Sequence, residues 1–294
     1  MRPQRFRQLP ADLIAALLSV IREPRESLQL LRALPEMLGG SRLAKHWTHE
    51  SSGESGSPAT VPADPVSNPL ALYFKDHTEG RGIWKYEHYL DIYHRVFANF
   101  VGKEVHVVEI GIFSGGSLDM WKSYFGPKCR VYGVDIRDEC NAYAGDRVEV
   151  FIGDQADRAF WKSFKAKVPQ VDILIDDGGH LPQQQIITLE EMLPHIKPGG
   201  IYLCEDILSV SSAFSAYVYG LMRRLNTFDY RPADLLVDTT PFQGSIHSIQ
   251  SYPYVTVIEK SATQIDHFRL PMQGTEWQPV SHAGTPEVIS RGQL

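Results

Sequence analysis

The feature that most constrains the fold is the stretch Val107–Ser117, which has the pattern of a buried strand, a glycine-rich turn and the start of a helix. Apolar residues surround Glu109, a pattern typical of a central parallel strand that is buried on both faces. Gly111, Gly115 and Gly116 then permit a tight turn in which bare backbone can lie against a ligand. The stretch therefore predicts a nucleotide-type site at the end of a strand.

This turn differs from the turn that binds dinucleotides. Its glycines lack the G-x-G-x-x-G spacing, and a buried carboxylate at Glu109 would repel a pyrophosphate. An acid at this position suits a positively charged ligand, and S-adenosylmethionine (SAM) carries a positive charge on its ammonium and on its sulfonium. We therefore predict a SAM site that includes Glu109, Gly111 and Ser117. A glycine-rich turn without a ligand is the alternative.

Apolar runs and helical patterns alternate along the middle of the chain. Strands are predicted over Val105–Ile110, Arg130–Asp135, Val148–Ile152, Val171–Asp176 and Gly200–Glu205, and helices over Tyr86–Phe100, Ser117–Phe125, Arg158–Lys167 and Gln184–Ile196. Strands that alternate with helices pair in parallel, with helices on both faces. Two further strands, Ser245–Ser251 and Tyr254–Lys260, are close enough in sequence to form an antiparallel edge pair. The prediction is an α/β, Rossmann-like, doubly wound sheet, mostly parallel with a C-terminal antiparallel hairpin, as in class I methyltransferases.

The length of 294 residues allows one sizeable α/β domain with extensions. We predict a helical appendage over residues 1–49, a linker rich in Ser, Gly and Pro over 50–69, the methyltransferase domain over 70–262 and a C-terminal tail over 263–294. Apolar residues of Asp12–Ile21 share one helical face, and a second apolar cluster follows Pro24. We expect the appendage to pack on the domain or on a partner subunit of a homo-oligomer. Association with a membrane surface is the alternative.

Charge and cysteine content restrict the possible partners and the cell compartment. The net charge of −6 gives no sign of the basic face that nucleic-acid binding needs. Cys129, Cys140 and Cys204 show neither metal nor disulfide spacing, so we expect a reducing, cytoplasmic setting. No apolar run approaches the length of a membrane span.

Acidic residues end five of the predicted strands, at Glu109, Asp135, Asp154, Asp176–Asp177 and Glu205–Asp206. Ligands of doubly wound sheets bind at this edge, and so many acids there are costly unless cations or hydroxyls face them. Asp135 is predicted to accept hydrogen bonds from both ribose hydroxyls of SAM. Asp154 and Gln155 are predicted to bind an adenine edge, and a helix cap is the alternative for Asp154.

The two last acidic pairs end successive strands, so their carboxylates should converge. Such a group of oxygens is typical of a hard-cation site for Mg²⁺, Mn²⁺ or Ca²⁺. His180 follows Asp177 across a Gly-Gly turn, which lets its imidazole swing toward the open face of the metal. We predict that His180 is a general base, with an ordinary polar surface histidine as the alternative.

The motifs Glu109–Ser117, Asp176–His180 and Gly199–Asp206 together resemble the macrocin and mycinamicin O-methyltransferase family, over roughly Tyr73–Lys260. Members of that family are SAM- and divalent-metal-dependent enzymes that methylate sugar hydroxyls. The segment Gly80–Glu87 lies where members fold over the cofactor, but its sequence differs, so we predict no individual contacts for it.

The resemblance implies that Asp177, Glu205 and Asp206 hold Mg²⁺ or Mn²⁺ and that His180 is the base. It implies an O-methyltransferase that acts on a sugar hydroxyl of a glycoside, glycan or natural product. The alternatives are a metal-dependent methyltransferase of a catechol or phenol, and a cephalosporin-hydroxylase-like protein of other activity. An NAD-linked oxidoreductase would also fit the fold, but the glycine spacing argues against it. A SAM- or sugar-binding protein without activity would leave His180 and the metal ligands unexplained.

Overall fold

The computed structural model describes residues 20–46, 68–228, 230–231, 236–271 and 273. Backbone contacts divide the chain into two compact units, Met1–Thr60 and Val61–Leu294. Within the described residues, every helix lacks the length or the apolar character that crossing a membrane requires.

The described part of the first unit is dominated by helix α1, Pro24–Lys45. Pro24 stands in the first turn, where a missing backbone N–H costs no hydrogen bond, and Pro35 lies inside the helix. The predicted apolar cluster of the appendage lies on α1, and its leucines are exposed. The predicted helix over Asp12–Ile21 lies almost entirely outside the described residues, as does most of the predicted linker over 50–69.

The end of the predicted linker belongs to the folded domain. Helix α2 spans Pro69–Asp76, and the side-chain oxygen of Asn68 accepts hydrogen bonds from the backbone N–H groups of Leu70 and Ala71. The amide of Asn68 also donates to the carbonyl of Leu90. Because this cap closes the first turn of α2, the linker ends before Asn68 rather than at residue 69.

The second unit alternates strands with helices as predicted. Its strands in chain order are β1 (Val105–Ile110), β2 (Cys129–Asp135), β3 (Val148–Ile152), β4 (Val171–Asp176), β5 (Ile196–Cys204), β6 (Tyr230–Arg231), β7 (Leu236–Asp238), β8 (Ile246–Tyr252), β9 (Val255–Lys260) and β10 (His267–Arg269). After α2 come helices α3 (Glu87–Phe97), α4 (Gly116–Phe125), α5 (Arg158–Lys167), α6 (Pro182–Met192), α7 (Ala213–Arg224) and α8 (Pro241–Ser245).

Seven strands form the main sheet, in the order β3-β2-β1-β4-β5-β9-β8. Neighbours from β3 through β5 are parallel, whereas β9 runs antiparallel to both β5 and β8. This confirms the predicted doubly wound α/β sheet with an antiparallel hairpin at its C-terminal edge. The order of the strands reverses at β1, with β2 and β3 on one side and β4 and β5 on the other, and β1 carries the glycine-rich turn.

Helix α6 differs from the predicted helix Gln184–Ile196. It begins earlier, since a proline is favourable in the first turn of a helix. It ends earlier because Pro194 has no backbone N–H with which to continue the helix. The chain passes through a short 3-10 turn instead and enters β5 at Ile196.

Strands β6, β7 and β10 form a separate antiparallel sheet in the order β10-β7-β6. Strand β10 lies inside the predicted tail 263–294, so the folded part extends beyond the predicted boundary at residue 262. The predicted loops Leu208–Met222 and Tyr230–Gly244 likewise contain α7, β6, β7 and α8. The strands of this sheet have only two or three residues, too few for a local sequence pattern to predict them.

Alternation along the strands directs side chains to the two faces of the main sheet. Val107 belongs to the apolar cluster that contains aromatic residues of α3 and α4, whereas Val108 belongs to the cluster beneath α5, α6 and α7. By the same alternation Glu109 and Glu205 point toward the α3 side. Asp176, at the end of β4, points to the opposite side.

Candidate active site

The carboxyl ends of β1, β2, β4 and β5 open into a cavity of about 530 Å³, a volume typical of a small-molecule site. The predicted site residues that line it are Gly111, Asp135, Asp154, Gln155, Asp177, His180, Glu205 and Asp206. The structure therefore brings most of the predicted residues to one place. Glu109 and Ser117 are absent from this lining.

Gly111 brings the turn after β1 into contact with the turn after β4. Its φ is +82°, and a Cβ at this position would overlap the backbone carbonyl oxygen of Asp177. Only glycine fits such a left-handed residue in direct contact with another backbone. The turn after β1 and the turn after β4 are thereby held against each other.

Glu109 and Ser117 bind each other beneath the turn. The hydroxyl of Ser117 donates to one carboxylate oxygen of Glu109 at 2.7 Å, and both side chains are buried. The two residues therefore lie beneath the cavity wall rather than on it, and their predicted contact with SAM stays a prediction. The strand alternation is the physical reason, because it turns Glu109 inward toward α3 and α4.

Asp135 lies on the cavity wall, and backbone N–H groups orient both of its carboxylate oxygens. They accept hydrogen bonds from the N–H groups of Phe113 at 3.1 Å and Arg137 at 3.0 Å. Each oxygen retains a further lone pair, so the carboxylate can also accept two hydroxyls. Ile136 follows Asp135 on the cavity wall and is 66% exposed.

Asp154 and Gln155 have their own protein partners. Asp154 accepts from the backbone N–H of Ala156 at 2.8 Å and lines the cavity, whereas the cap of α5 is Asp157, which accepts from the N–H of Ala159. The buried amide of Gln155 donates to Asp176 at 2.9 Å and accepts from the N–H of Gly179 at 2.7 Å. The amide of Gln155 thus fixes the Gly178–Gly179 turn, and its predicted contact with an adenine edge stays a prediction.

Asp176 is a buried structural acid. It lies on the α6 side of the sheet, where it accepts hydrogen bonds from Gln155 and, at 3.2 Å, from the hydroxyl of Tyr202. Burial raises the pKa of Asp176 to about 6, although these hydrogen bonds work in the other direction. Asp177, the next residue, is the one that reaches the cavity.

Lys85, for which no contact was predicted, lies among the carboxylates. Its ammonium donates to Asp177 Oδ2 and Glu205 Oε1 and lies 3.7 Å from Glu109 Oε1. Its side chain is only 4% exposed. Burial works against its charge, but the carboxylates of Glu205, Asp177 and Glu109 outweigh burial and raise the pKa of Lys85 above its ordinary value.

Two tyrosines of α3 supply further donors to the same acids. The hydroxyl of Tyr93 donates to Glu205 Oε2, and that of Tyr89 donates to Asp206 Oδ1 at 2.7 Å. Tyr89 and Tyr93 are four residues apart, the spacing that places side chains on one side of a helix, whereas Lys85 lies in the irregular segment before α3. That spacing, together with the excess of acids at the strand ends, is the signal that could have identified the two tyrosines from sequence.

The group of acids carries more negative charge than its single ammonium offsets. Four carboxylates, those of Glu109, Asp177, Glu205 and Asp206, surround Lys85 or its partners. Burial raises the pKa of both Asp177 and Glu205, and the charge of Lys85 opposes this only in part. The excess charge favours binding of a further cation at the cavity side.

Asp177, His180 and Asp206 lie together at the turns after β4 and β5, where the two carboxylates could hold that cation. One ligand atom from each lies within 4.8 Å of the others. His180 Nε2 is 3.9 Å from Asp177 Oδ1 and 3.7 Å from Asp206 Oδ2. His180 and Asp206 both have φ of 57°, a conformation that non-glycine residues rarely adopt outside functional sites. Carboxylates in this number suit Mg²⁺ or Mn²⁺.

Glu205 does not belong to this group, although it was predicted as the third metal ligand. Lys85 occupies one of its oxygens and Tyr93 the other, and its side chain is fully buried. The direction of its side chain, toward α3, is the physical reason. Because Glu205 also lines the cavity, its predicted role as the third metal ligand stays a prediction.

The sequence has recognisable relatives among methyltransferases. Residues 108–207 match a family described as a methyltransferase domain. The 8-demethyl-8-alpha-L-rhamnosyl tetracenomycin-C 2'-O-methyltransferase of Streptomyces olivaceus is 32% identical over 202 residues, which cover 62% of this chain and 53% of the relative. The mycinamicin VI 2''-O-methyltransferase of Micromonospora griseorubida is 36% identical over 122 residues, which cover 39% of this chain and 30% of the relative.

A solved methyltransferase structure is also similar to this chain. The MycE methyltransferase from the mycinamycin biosynthetic pathway, in complex with Mg and SAH, aligns with a TM-score of 0.53 and 25% identity, over 66% of this chain and 54% of that one. The chain spans about half the length, or less, of the relatives it matches. The class I methyltransferase fold and the resemblance to the macrocin and mycinamicin O-methyltransferases are both confirmed.

Proposed function

We propose that this chain transfers the methyl group of SAM to a sugar hydroxyl of a glycosylated small molecule, in a reaction that depends on Mg²⁺ or Mn²⁺. One observation carries the proposal: a single cavity contains both the carboxylate of Asp135 and the carboxylate pair of Asp177 and Asp206, with His180 beside the pair. The first can bind the ribose of SAM, and the second can bind a metal next to the acceptor. The names of the relatives describe O-methylation of a rhamnosyl tetracenomycin and of mycinamicin VI.

The SAM half of the cavity extends from Gly111 to Asp154. Asp135 would accept the ribose hydroxyls, and the exposed side chain of Ile136 next to it offers an apolar surface for the flat adenine ring. Glu109 acts from beneath this half, where its charge faces Lys85 rather than the ligand. A positively charged methyl donor fits the excess negative charge of the site.

The metal half lies at the turns after β4 and β5. Asp177 and Asp206 would hold the ion with oxygens that face the cavity. When bound, the ion would act as a Lewis acid that lowers the pKa of the acceptor hydroxyl. The MycE structure contains Mg together with SAH, which supports the pairing of a metal with this donor.

His180 would remove the proton of the acceptor hydroxyl at Nε2. Its side chain is 38% exposed and lines the cavity, so it can reach an acceptor that lies beside Asp177 and Asp206. In the transfer, the bond between methyl and sulfur breaks and its electrons stay on sulfur. A bond forms between methyl and the acceptor oxygen, whose proton passes to His180.

The mouth of the cavity suits an acceptor with an apolar part. Trp84, which lines the cavity, is 88% exposed, and Leu181, next to His180, is 61% exposed. A sugar joined to an apolar ring system could place its hydroxyls at the metal and its rings against this mouth. A catechol or phenol acceptor stays the alternative, to be separated by the choice of substrates.

Two further predictions about the whole protein belong to this proposal. The three cysteines are free and buried, which supports the predicted cytoplasmic setting. The exposed leucines of α1 support the predicted homo-oligomer through the N-terminal helices.

The binding of SAM should depend on Asp135. We expect Asp135→Ala to weaken SAM binding by about 1.5–3 kcal/mol, because two charge-assisted hydrogen bonds to the ribose are lost. Calorimetric titration measures this, with NAD as the control ligand. Asp146→Ala, which changes an aspartate with 83% side-chain exposure, should bind SAM as the wild type does. Unchanged affinity in folded Asp135→Ala would refute the assignment.

Methyl transfer should require a divalent metal and a glycoside. We expect labelled methyl groups of SAM to be transferred to members of a panel of deoxysugar glycosides. The transfer should stop with EDTA and resume with Mg²⁺ or Mn²⁺. Zn²⁺ should restore little activity at an oxygen-rich site. Asp206→Asn should raise the metal concentration needed, and Asp146→Asn should not. Full activity after chelation would exclude the metal, and transfer to catechols alone would favour the alternative acceptor.

Removal of the proposed base should slow methyl transfer and leave the binding of SAM and Mn²⁺ intact. We expect His180→Ala to reduce turnover by about 10²–10⁴-fold, the usual contribution of general-base catalysis. The affinities for SAM and Mn²⁺ should change little, which calorimetry can show on the same sample. His267→Ala, at an exposed histidine paired with Asp238, is the matched control. Turnover at the wild-type rate in His180→Ala would place the base elsewhere.

A further inference from the structure

A pair of exposed tyrosine rings lies beside the cavity. Tyr86, in the segment before α3, lines the cavity and is 47% exposed, and Tyr254, between β8 and β9, is 45% exposed. Their ring centroids are 5.7 Å apart, and the rings are tilted by 44°. The ring of His88 lies against both of them. We call Tyr86, His88 and Tyr254 the aromatic group, and its exposed faces are open to a ligand that extends out of the cavity.

The aromatic group is tied to the metal half of the cavity. Tyr86 also lies against Tyr89, with ring centroids 5.2 Å apart, and the hydroxyl of Tyr89 donates to Asp206. The backbone N–H of Ile207, next to Asp206, donates to the carbonyl of Tyr254 at 3.0 Å. A ring joined to a sugar that is bound at the turn after β5 would therefore meet Tyr86 and Tyr254.

The backbone at Tyr254 is unfavourable for a tyrosine. Tyr252 pairs with Val255, so Pro253 and Tyr254 form a two-residue turn between β8 and β9. The φ of Tyr254 is 63°, in the left-handed region that glycine adopts freely and bulky residues rarely adopt. Tyr254 belongs to neither apolar cluster of the described residues, so core packing does not account for its ring. Backbone strain of this kind is concentrated at functional sites, where the side chain is needed.

The chemistry of the aromatic group suits a sugar ring. A pyranose ring has faces of C–H groups and a rim of hydroxyls, and a tyrosine offers an apolar face to the first and a hydroxyl to the second. Because the rings of Tyr86 and Tyr254 are tilted, they do not form one flat surface for a planar aromatic system. The group therefore favours a hydroxylated, saturated ring over a flat aglycone.

We propose that Tyr86 and Tyr254 form a second sugar subsite, which binds the ring joined to the sugar that is methylated. The inference rests on the proposed function, since it places the methylated sugar at the turns after β4 and β5. It names the preferred acceptor class as a glycoside with at least two sugar rings in sequence. Trp84 and Leu181 stay available for an apolar aglycone.

Binding of sugar probes in the presence of SAH and Mg²⁺ tests the inference without an activity assay. The probes are methyl rhamnoside and methyl fucoside, each compared with methyl glycosides of disaccharides of the same sugar in several linkages. We expect the wild type to bind at least one disaccharide more tightly than the single ring, by about 2–10-fold, the gain expected from contact with an aromatic face. Titrations followed by NMR give the dissociation constants.

Replacement of Tyr254 separates the subsite from a structural role. Tyr254→Gly removes the ring, suits the left-handed backbone and keeps the carbonyl that Ile207 binds. We therefore expect the melting temperature to stay or rise, whereas the gain in affinity from the second ring is lost. The affinity for the single-ring probes should stay at the wild-type value. A tyrosine with a purely structural role would lower the melting temperature when it is replaced.

Three further variants complete the test. Tyr86→Ala should lose the same gain, which keeps the inference testable if Tyr254→Gly alters the hairpin. Tyr254→Phe keeps the ring and should keep most of the gain. Phe268→Ala, at a ring of β10 that is 42% exposed in the separate sheet, is the control and should keep all of it.

The outcomes distinguish this inference from the proposed function. A wild type that binds no disaccharide more tightly than the single ring would overturn the inference, as would an unchanged gain in folded Tyr254→Gly and Tyr86→Ala. A gain that appears only with octyl rhamnoside, whose chain is apolar, would also overturn it, because the aromatic group would then bind an aglycone. A wild type that shows the gain, loses it in both variants and transfers no methyl group would refute the proposed function alone.

Discussion

The ion pairs between the buried ammonium of Lys85 and the carboxylates around it are the interaction on which the site depends. Parallel strands that end together bring acids of separate strands to one edge, where they lose water and repel one another. Lys85 and the two tyrosines of α3 offset this cost within the protein, because each donates to an acid of β4 or β5. The remaining negative charge is confined to the cavity side, where a metal ion and a cationic methyl donor would both be favoured.

The alternation of the strands decides which acids can take part in chemistry. Glu109 and Glu205 point toward α3 and become partners of Lys85, while Asp176 points toward α6 and binds Gln155 and Tyr202. Asp177 and Asp206 follow these inward acids and reach the cavity from irregular backbone. In each pair of acids at a strand end, the first acid, Asp176 or Glu205, binds other groups of the protein. The second acid, Asp177 or Asp206, faces the cavity.

The sequence predicted the elements and the site residues that depend on a local pattern. Strands β1, β3 and β4 and helix α5 have the predicted bounds, because apolar runs and caps mark them. The cavity residues Asp135, Asp177, His180 and Asp206 were found because each follows a strand. The role of Lys85 was not predicted, since it lies in an irregular segment and meets its acids 92 and 120 residues away. A sequence shows that Gln155 and Glu205 are near a site, but it does not show which protein groups also bind their side chains.

The most direct test of this account is a crystal structure of the protein with SAH and Mn²⁺, in which anomalous scattering locates the metal. We expect one Mn²⁺ peak in contact with Asp177 and Asp206, and the ribose of SAH on Asp135. Contact of the same ion with Glu205 would confirm its predicted role as the third ligand. A structure with SAH bound and no metal at these turns would contradict the metal site itself.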